Sequence, residues 1–202
     1  MKKRYKAILK YEERIAKTLA ERLTEPKEID FGIKIIFPLL FFLDYAKIKA
    51  RLSMTKKNLM LTKKLALNAA KNIKAGGKRK EELEKIITET NKLLEKERKG
   101  VYSKKVRDTQ LREIDLLIDH YLKLLNAEGE KYKGLVKHAY GSKDGYFSFL
   151  KKLREEEERV NQVAIKTLKT GSKKELRKWF DRLEMTTKKV RMEEVKKIFS
   201  ED

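Results

Sequence analysis

KIKARLSMTKKNLMLTKKLALNAAKNIK, residues 47–74, contains neither proline nor glycine. Leu, Ala, Lys and Met dominate it, and these are strong helix formers. At about 100° per residue, Ile48, Leu52, Leu59, Ala66, Ala70 and Ile73 fall on one stripe, with Met54, Leu61, Leu65 and Ala69 beside it. Lys49, Lys56, Lys57, Lys63, Lys64, Lys71 and Lys74 gather on the opposite side. The spacing predicts an amphipathic helix with a wide apolar face and a cationic outer face. Gly76-Gly77 ends it, because glycine accepts the left-handed conformation of a helix cap. Lys78, Arg79 and Lys80 sit in or just after that turn.

This stretch also dominates the charge. Tyr45 to Lys80 holds 12 Lys or Arg and no Asp or Glu, against a net charge of +21 for all 202 residues. A helix face without acidic partners three or four residues away repels itself. Something outside the helix must offset it: carboxylates on neighbouring helices, salt, or a bound polyanion. Glu81-Glu82-Leu83-Glu84 and Glu155 to Glu158 are acidic runs that could supply the first of these.

Immediately upstream lies the most apolar part of the chain, residues 31–43, with Ile35, Ile36, Phe37, Leu39, Leu40, Phe41, Phe42 and Leu43. A run apolar all round is usually buried on every side. Its 13 residues make a helix of about 20 Å, short of a hydrocarbon core of about 30 Å. A central core helix running on into the basic segment is the expectation. A patch that enters a membrane or docks a partner through Phe37, Phe41 and Phe42 is the alternative. A strand there would have no second strand to pair with.

The remaining chain reads as helices. Ile8, Tyr11, Ile15, Leu19 and Leu23 recur at spacings of three or four within residues 2–24. Residues 80–98 and 102–127 follow, the second with Leu111, Ile114, Ile118, Tyr121 and Leu125 at heptad-like positions. Residues 130–145 suggest a short helix and then a loop, Tyr140 to Gly145. Residues 146–169 return to helix. Ser172 and Glu175 fit the S-x-x-E capping box of a last helix ending near Phe199. We therefore expect an all-α fold: a mostly antiparallel bundle of six or seven helices around a long central helix, as one domain over 1–202, with a sub-bundle division near residue 100 as the alternative.

Motifs for chemistry are missing. No cysteine is present, which removes disulfides, thiol catalysis and cysteine metal ligands. Neither His120 nor His138 has a glutamate three residues before it, so the di-iron Glu-x-x-His pattern is missing. Asp115 and Asp119 near His120 make at most one weak divalent site, and a solvent-facing or hydrogen-bonded His120 is the plainer reading. No phosphate-cradling glycine loop occurs. The expectation is a protein without cofactor, metal or catalytic residues, leaning away from an enzyme, and with no small-molecule substrate identifiable.

What the composition favours is a binding or scaffold protein. Lys49, Lys56, Lys57, Lys63, Lys64, Lys71, Lys74, Lys78, Arg79 and Lys80 would bind a polyanion, nucleic acid first, through phosphates and without reading sequence. An anionic membrane surface is the alternative, with the polybasic helix beside the apolar 31–43 stretch. A homo- or hetero-oligomer subunit with no polyanion ligand is the third. The basic start is interrupted by Glu12 and Glu13 before any apolar core, unlike a secretory signal. A cytoplasmic location is expected, with a membrane-peripheral one under the second reading. Two glutamines and no cysteine amid many Lys and Glu resemble the compositions of heat-loving organisms.

Overall fold

A computed structural model describes residues 1–23, 48–96, 103–168 and 172–200. The described residues form an all-α bundle of seven helices: α1 (Lys2–Leu23), α2 (Ile48–Lys74), α3 (Arg79–Lys96), α4 (Lys104–Asn126), α5 (Tyr132–Tyr140), α6 (Lys143–Thr167) and α7 (Lys173–Phe199). No helix among them is long and apolar enough to cross a membrane. The apolar stretch 31–43, with Phe37, Phe41 and Phe42, lies outside the described residues, as does Gly171.

Side-chain pairs fix the directions. Lys63 meets Glu12 and Asn68 meets Tyr5, so α1 runs antiparallel to α2. Arg14 meets Glu194 while Arg182 reaches the Arg22 carbonyl, so α7 is antiparallel to α1. Thr62 meets Glu113 and Lys74 meets the Leu125 carbonyl, so α2 and α4 lie side by side and parallel. The short α3 is the return stroke between them. It is antiparallel to α4 through Arg79 on Asp115 and Arg107 on Asn91. α6 is antiparallel to α4, with Ser103 bonded to Thr167 at one end and His120 stacked on Phe149 at the other.

The turns explain themselves locally. Gly76 has φ +103°, and the Gly76 and Gly77 amides donate to the carbonyls of Ile73 and Asn72, a Schellman closure of α2. Ser103 caps α4 by accepting from the Val106 amide, and Ser172 caps α7 by accepting from the Glu175 amide. The expected loop over 140–145 is shorter than its composition suggests. Ser142 accepts from the Gly145 amide, so α6 begins at Lys143, directly after Gly141 and Ser142. Ala127 is the C-cap of α4, its amide donating to the carbonyls of Lys123 and Leu124.

The main apolar cluster draws on all seven helices, from Ile8 through Leu67, Ile86, Leu117, Leu135 and Leu153 to Val195. α2 is buried over more of its circumference than its apolar stripe implies. Met60 and Leu67, off that stripe, are 3% and 1% exposed. The cause is that α1, α3 and α4 all pack on it. Part of the expected cationic face therefore points into the bundle.

Candidate functional site

α1, α2, α4, α6 and α7 enclose a cavity of about 380 Å³. Ala16, Leu59, Leu150, Val160, Phe180 and Leu183 give it an apolar wall. Exposed Lys151 and Lys188 mark where it reaches solvent. Its polar side is built from Asn58, Thr62 and Lys63 of α2, Glu113 of α4, and Glu157 and Arg191 of α6 and α7. Asn58 and Thr62 are one turn apart and share a face of α2. Buried polar groups of this kind carry a cost unless each has a partner.

Most do. Lys63 Nζ lies 2.5 Å from Glu12 Oε2, with the side chains 15% and 8% exposed. The Tyr121 hydroxyl donates to the other Glu12 oxygen at 3.1 Å. Burial pushes the Tyr121 hydroxyl well above its ordinary pKa, so it remains a donor. Arg191 donates both terminal nitrogens to the Glu157 carboxylate, at 2.7 and 2.6 Å. Burial alone would lower the arginine's pKa, and the facing Glu157 carboxylate turns the net shift upward. Arg154 Nε stands 3.0 Å from Glu158 Oε1. The Lys63–Glu12 and Arg191–Glu157 pairs are closed and their charges cancel locally, whereas Arg154 Nε, though near Glu158, is buried with no hydrogen-bond partner.

Glu113 is different. It is buried, and among the described residues its hydrogen bond is the one from Thr62 Oγ1, at 3.1 Å. No cation pairs with it among the described residues. Burial first, then the nearby Glu157 carboxylate, raise its pKa from 4.5 to about 8. At neutral pH it is mostly a neutral acid that can donate a proton. Asn58 Oδ1, also in the cavity wall, is buried with no hydrogen-bond partner. The mostly apolar space thus holds a buried carboxyl with no paired cation among the described residues and an amide oxygen with no hydrogen-bond partner.

The residues expected to bind a polyanion divide into two groups. Lys63 is interior and held by Glu12. Lys74 donates to the Leu125 carbonyl, where Arg4 also donates, and burial and then Arg4 lower its pKa. Arg79 is bound by Asp115 and Asp119. Exposed Lys64 and Lys78 lie 3.6 Å from Glu13 and 3.5 Å from Glu81. Lys57, Lys71 and Lys80 are exposed, Lys71 over the Tyr5 ring, and Lys56 is half-buried. Lys49 is in the first turn of α2, with its side chain outside the described set. The carboxylates that meet this helix come mainly from α1 and α4. Of the two acidic runs expected to do so, Glu155–Glu158 is taken up by arginines of α4, α6 and α7.

The histidines do not assemble a metal site. His120 is buried, its Nδ1 2.6 Å from the Tyr140 hydroxyl and its ring stacked on Phe149. The solvent-facing alternative for His120 is thereby corrected: α4 turns it inward, among Tyr121, Tyr140, Tyr146 and Phe149. Asp115 and Asp119 turn the other way, to Arg79. Among the described residues no group of three His, Cys, Asp or Glu is placed to hold a metal ion.

Glu113, Asn58 and Thr62 of the cavity wall were not singled out by the sequence, yet a signal for its buried carboxylates existed. Glu12 sits four residues from both Ile8 and Ala16, on the buried stripe of α1. Gln110 and Glu113 precede Leu117, Tyr121 and Leu124 at spacings of three and four, on the buried stripe of α4. A carboxylate at a core register position marks a polar interior, and only the packing shows which carboxylate lacks a cation. No protein-family model, curated protein or solved structure matches this chain.

Proposed function

We propose that this is a small-molecule binding protein whose ligand, a largely apolar organic molecule with one polar head, occupies the cavity between α1, α2, α4, α6 and α7. The observation that carries the reading is the Glu113 carboxyl, buried beside Thr62 with no cation paired to it among the described residues, in the wall of a mostly apolar cavity. A core that only had to pack would hold a hydrophobic residue there at less cost. Trp179, the one tryptophan, packs edge-on against Phe180 of the cavity wall, so its emission reports occupancy. Ala164 is 3% exposed and lines the same space. Titration with apolar amines and alcohols is expected to change Trp179 emission. Ala164→Leu, which fills the cavity, is expected to abolish that change while the protein stays folded. An unchanged response in the filled variant would sink the reading.

A second reading, polyanion binding, is supported by Lys57, Lys64 and Lys71, which recur every seven residues along the exposed side of α2. They stand about 10 Å apart along the helix. This row is shorter than the one expected from sequence. Its contacts would be to phosphates and would weaken steeply with salt. Duplex DNA and anionic vesicles, titrated at low and moderate salt, test it against Lys57, Lys64 and Lys71 changed together to Gln. Several-fold weaker, salt-sensitive duplex binding in the variant is the expected result. Equal binding by the variant would end the reading. Vesicle binding without duplex binding would instead favour the membrane alternative, which rests on Phe37, Phe41 and Phe42.

A further inference from the structure

We infer that the cavity's occupant is an organic monocation, an ammonium that donates to the Glu113 carboxylate and to Asn58 Oδ1 while its apolar body lies against Leu59, Leu150, Phe180 and Leu183. This rests on the cavity being a ligand site, and adds the ligand's charge. The argument is a count of partners. From α1, Glu12 faces the cavity region and is taken by Lys63 of α2. From α6 and α7, Glu157 is taken by Arg191, and Glu158 by Arg154. Lys151 and Lys188 are exposed at the rim, where water serves them. Glu184, also in the wall, faces Glu158, so it adds negative rather than positive charge. What remains is the Glu113 carboxyl on α4, buried, accepting from Thr62 and with no cation paired to it among the described residues.

The donor count points the same way. Glu113 and Asn58 both offer acceptor oxygens, and Asn58 Oδ1 has no donor. An ammonium has three N–H donors and no acceptor, and can serve both oxygens at once. An alcohol can donate to Asn58 Oδ1 and accept from the neutral Glu113 acid, but those bonds are weaker than the charge-assisted bonds of an ammonium to a carboxylate. A carboxylate ligand has no donor and would leave Asn58 Oδ1 unserved. The net charge of +21 repels a free ammonium from the outer surface, so binding of such a probe selects for an interior carboxylate.

The step balances in protons. An ammonium enters with its charge, the Glu113 acid ionises to meet it, and the carboxyl proton leaves to solvent. Near pH 7 a site whose acid holds its proton to about pH 8 releases close to one proton per ligand bound.

The full-length chain titrated calorimetrically with n-octylammonium, 1-octanol and octanoate, in two buffers of different ionisation heat, tests this. The expected result is octylammonium binding at least tenfold tighter than octanol, octanoate weaker still, and close to one proton released with the amine alone. Glu113→Gln keeps the shape and the Thr62 contact. It is expected to lose tenfold or more in amine affinity, to lose the proton release, and to retain octanol binding. Asn58→Leu, at a separate position, is expected to weaken the amine several-fold and octanol less, so the outcome does not hang on one variant. Equal binding of amine and octanol, with both variants unaltered toward the amine, would overturn the charge assignment and leave the cavity reading standing. If none of the three probes gives heat or alters Trp179 emission, the cavity reading falls and the charge assignment falls with it.

Discussion

Glu113 and His120 are buried on the same helix with opposite consequences for pH. Burial raises the Glu113 pKa from 4.5 to about 8. The folded protein then holds a proton that the unfolded chain has released, so Glu113 favours folding most below pH 4.5. That contribution is lost as pH rises through about 8. His120 goes the other way: burial lowers its pKa from 6.5 to about 3. Its contribution is full above 6.5 and is lost as pH falls toward 3. Stability is therefore expected to peak between about pH 4.5 and 6.5, with each pH unit beyond a limit worth up to about 1.4 kcal/mol. Urea unfolding at pH 5, 6.5 and 8 measures it. Glu113→Gln should flatten the alkaline limb and leave the acid limb intact. A variant that still loses stability between pH 6.5 and 8 would show that another group is responsible. None of this was legible at the residues alone. Glu113 sits on the buried stripe of α4, but its lack of a paired cation, and the inward turn of His120, follow from how α2 and α6 pack on α4.

Between elements, the two-residue link from α5 to α6 is the least forgiving point. A Cβ on Gly145 would stand 2.7 Å from the Tyr140 carbonyl oxygen, a backbone atom that cannot move aside. Gly145→Ala is expected to cost about 1–3 kcal/mol, as overpacking does. Gly134, inside α5, has nothing within 4 Å of its would-be Cβ. Gly134→Ala should stabilise by about 0.5–1 kcal/mol, because alanine gives up less chain freedom in a helix. Thermal unfolding of the pair checks the sign of each, and equal shifts would refute the argument. This link also marks where reading by composition failed. Gly141, Ser142 and Gly145 look like loop, but Ser142 and Gly145 act as the cap and first turn of a helix. The longer helices were legible because their apolar spacing repeats many times. Lys63 was misplaced on an outer face for a related reason. A single helix's pattern shows which side is apolar, and not how many neighbours will cover the polar side.

Across the whole bundle, the all-α class and the helix order were legible, since every described segment carries a helical period and the turns carry glycine or serine caps. The parallel pairing of α2 with α4 was not, because it depends on a tertiary register set by Thr62, Glu113, Lys74 and Leu125. The cavity was not legible for the same reason: its walls come from both ends of the chain. Ala16 and Leu19 on one side face Phe180 to Met192 on the other. That placement also orders events in time. α2, α3 and α4 are neighbours in sequence and can meet early, whereas α1 and α7 close a loop of more than 150 residues, as Arg14 and Glu194 illustrate at a separation of 180. A pocket completed only when α1 and α7 dock is expected to be absent from the folding transition state. An occupant is therefore expected to leave the refolding rate unchanged and to slow unfolding in proportion to its affinity. Occupied and empty protein would then differ in how long they last far more than in how fast they form.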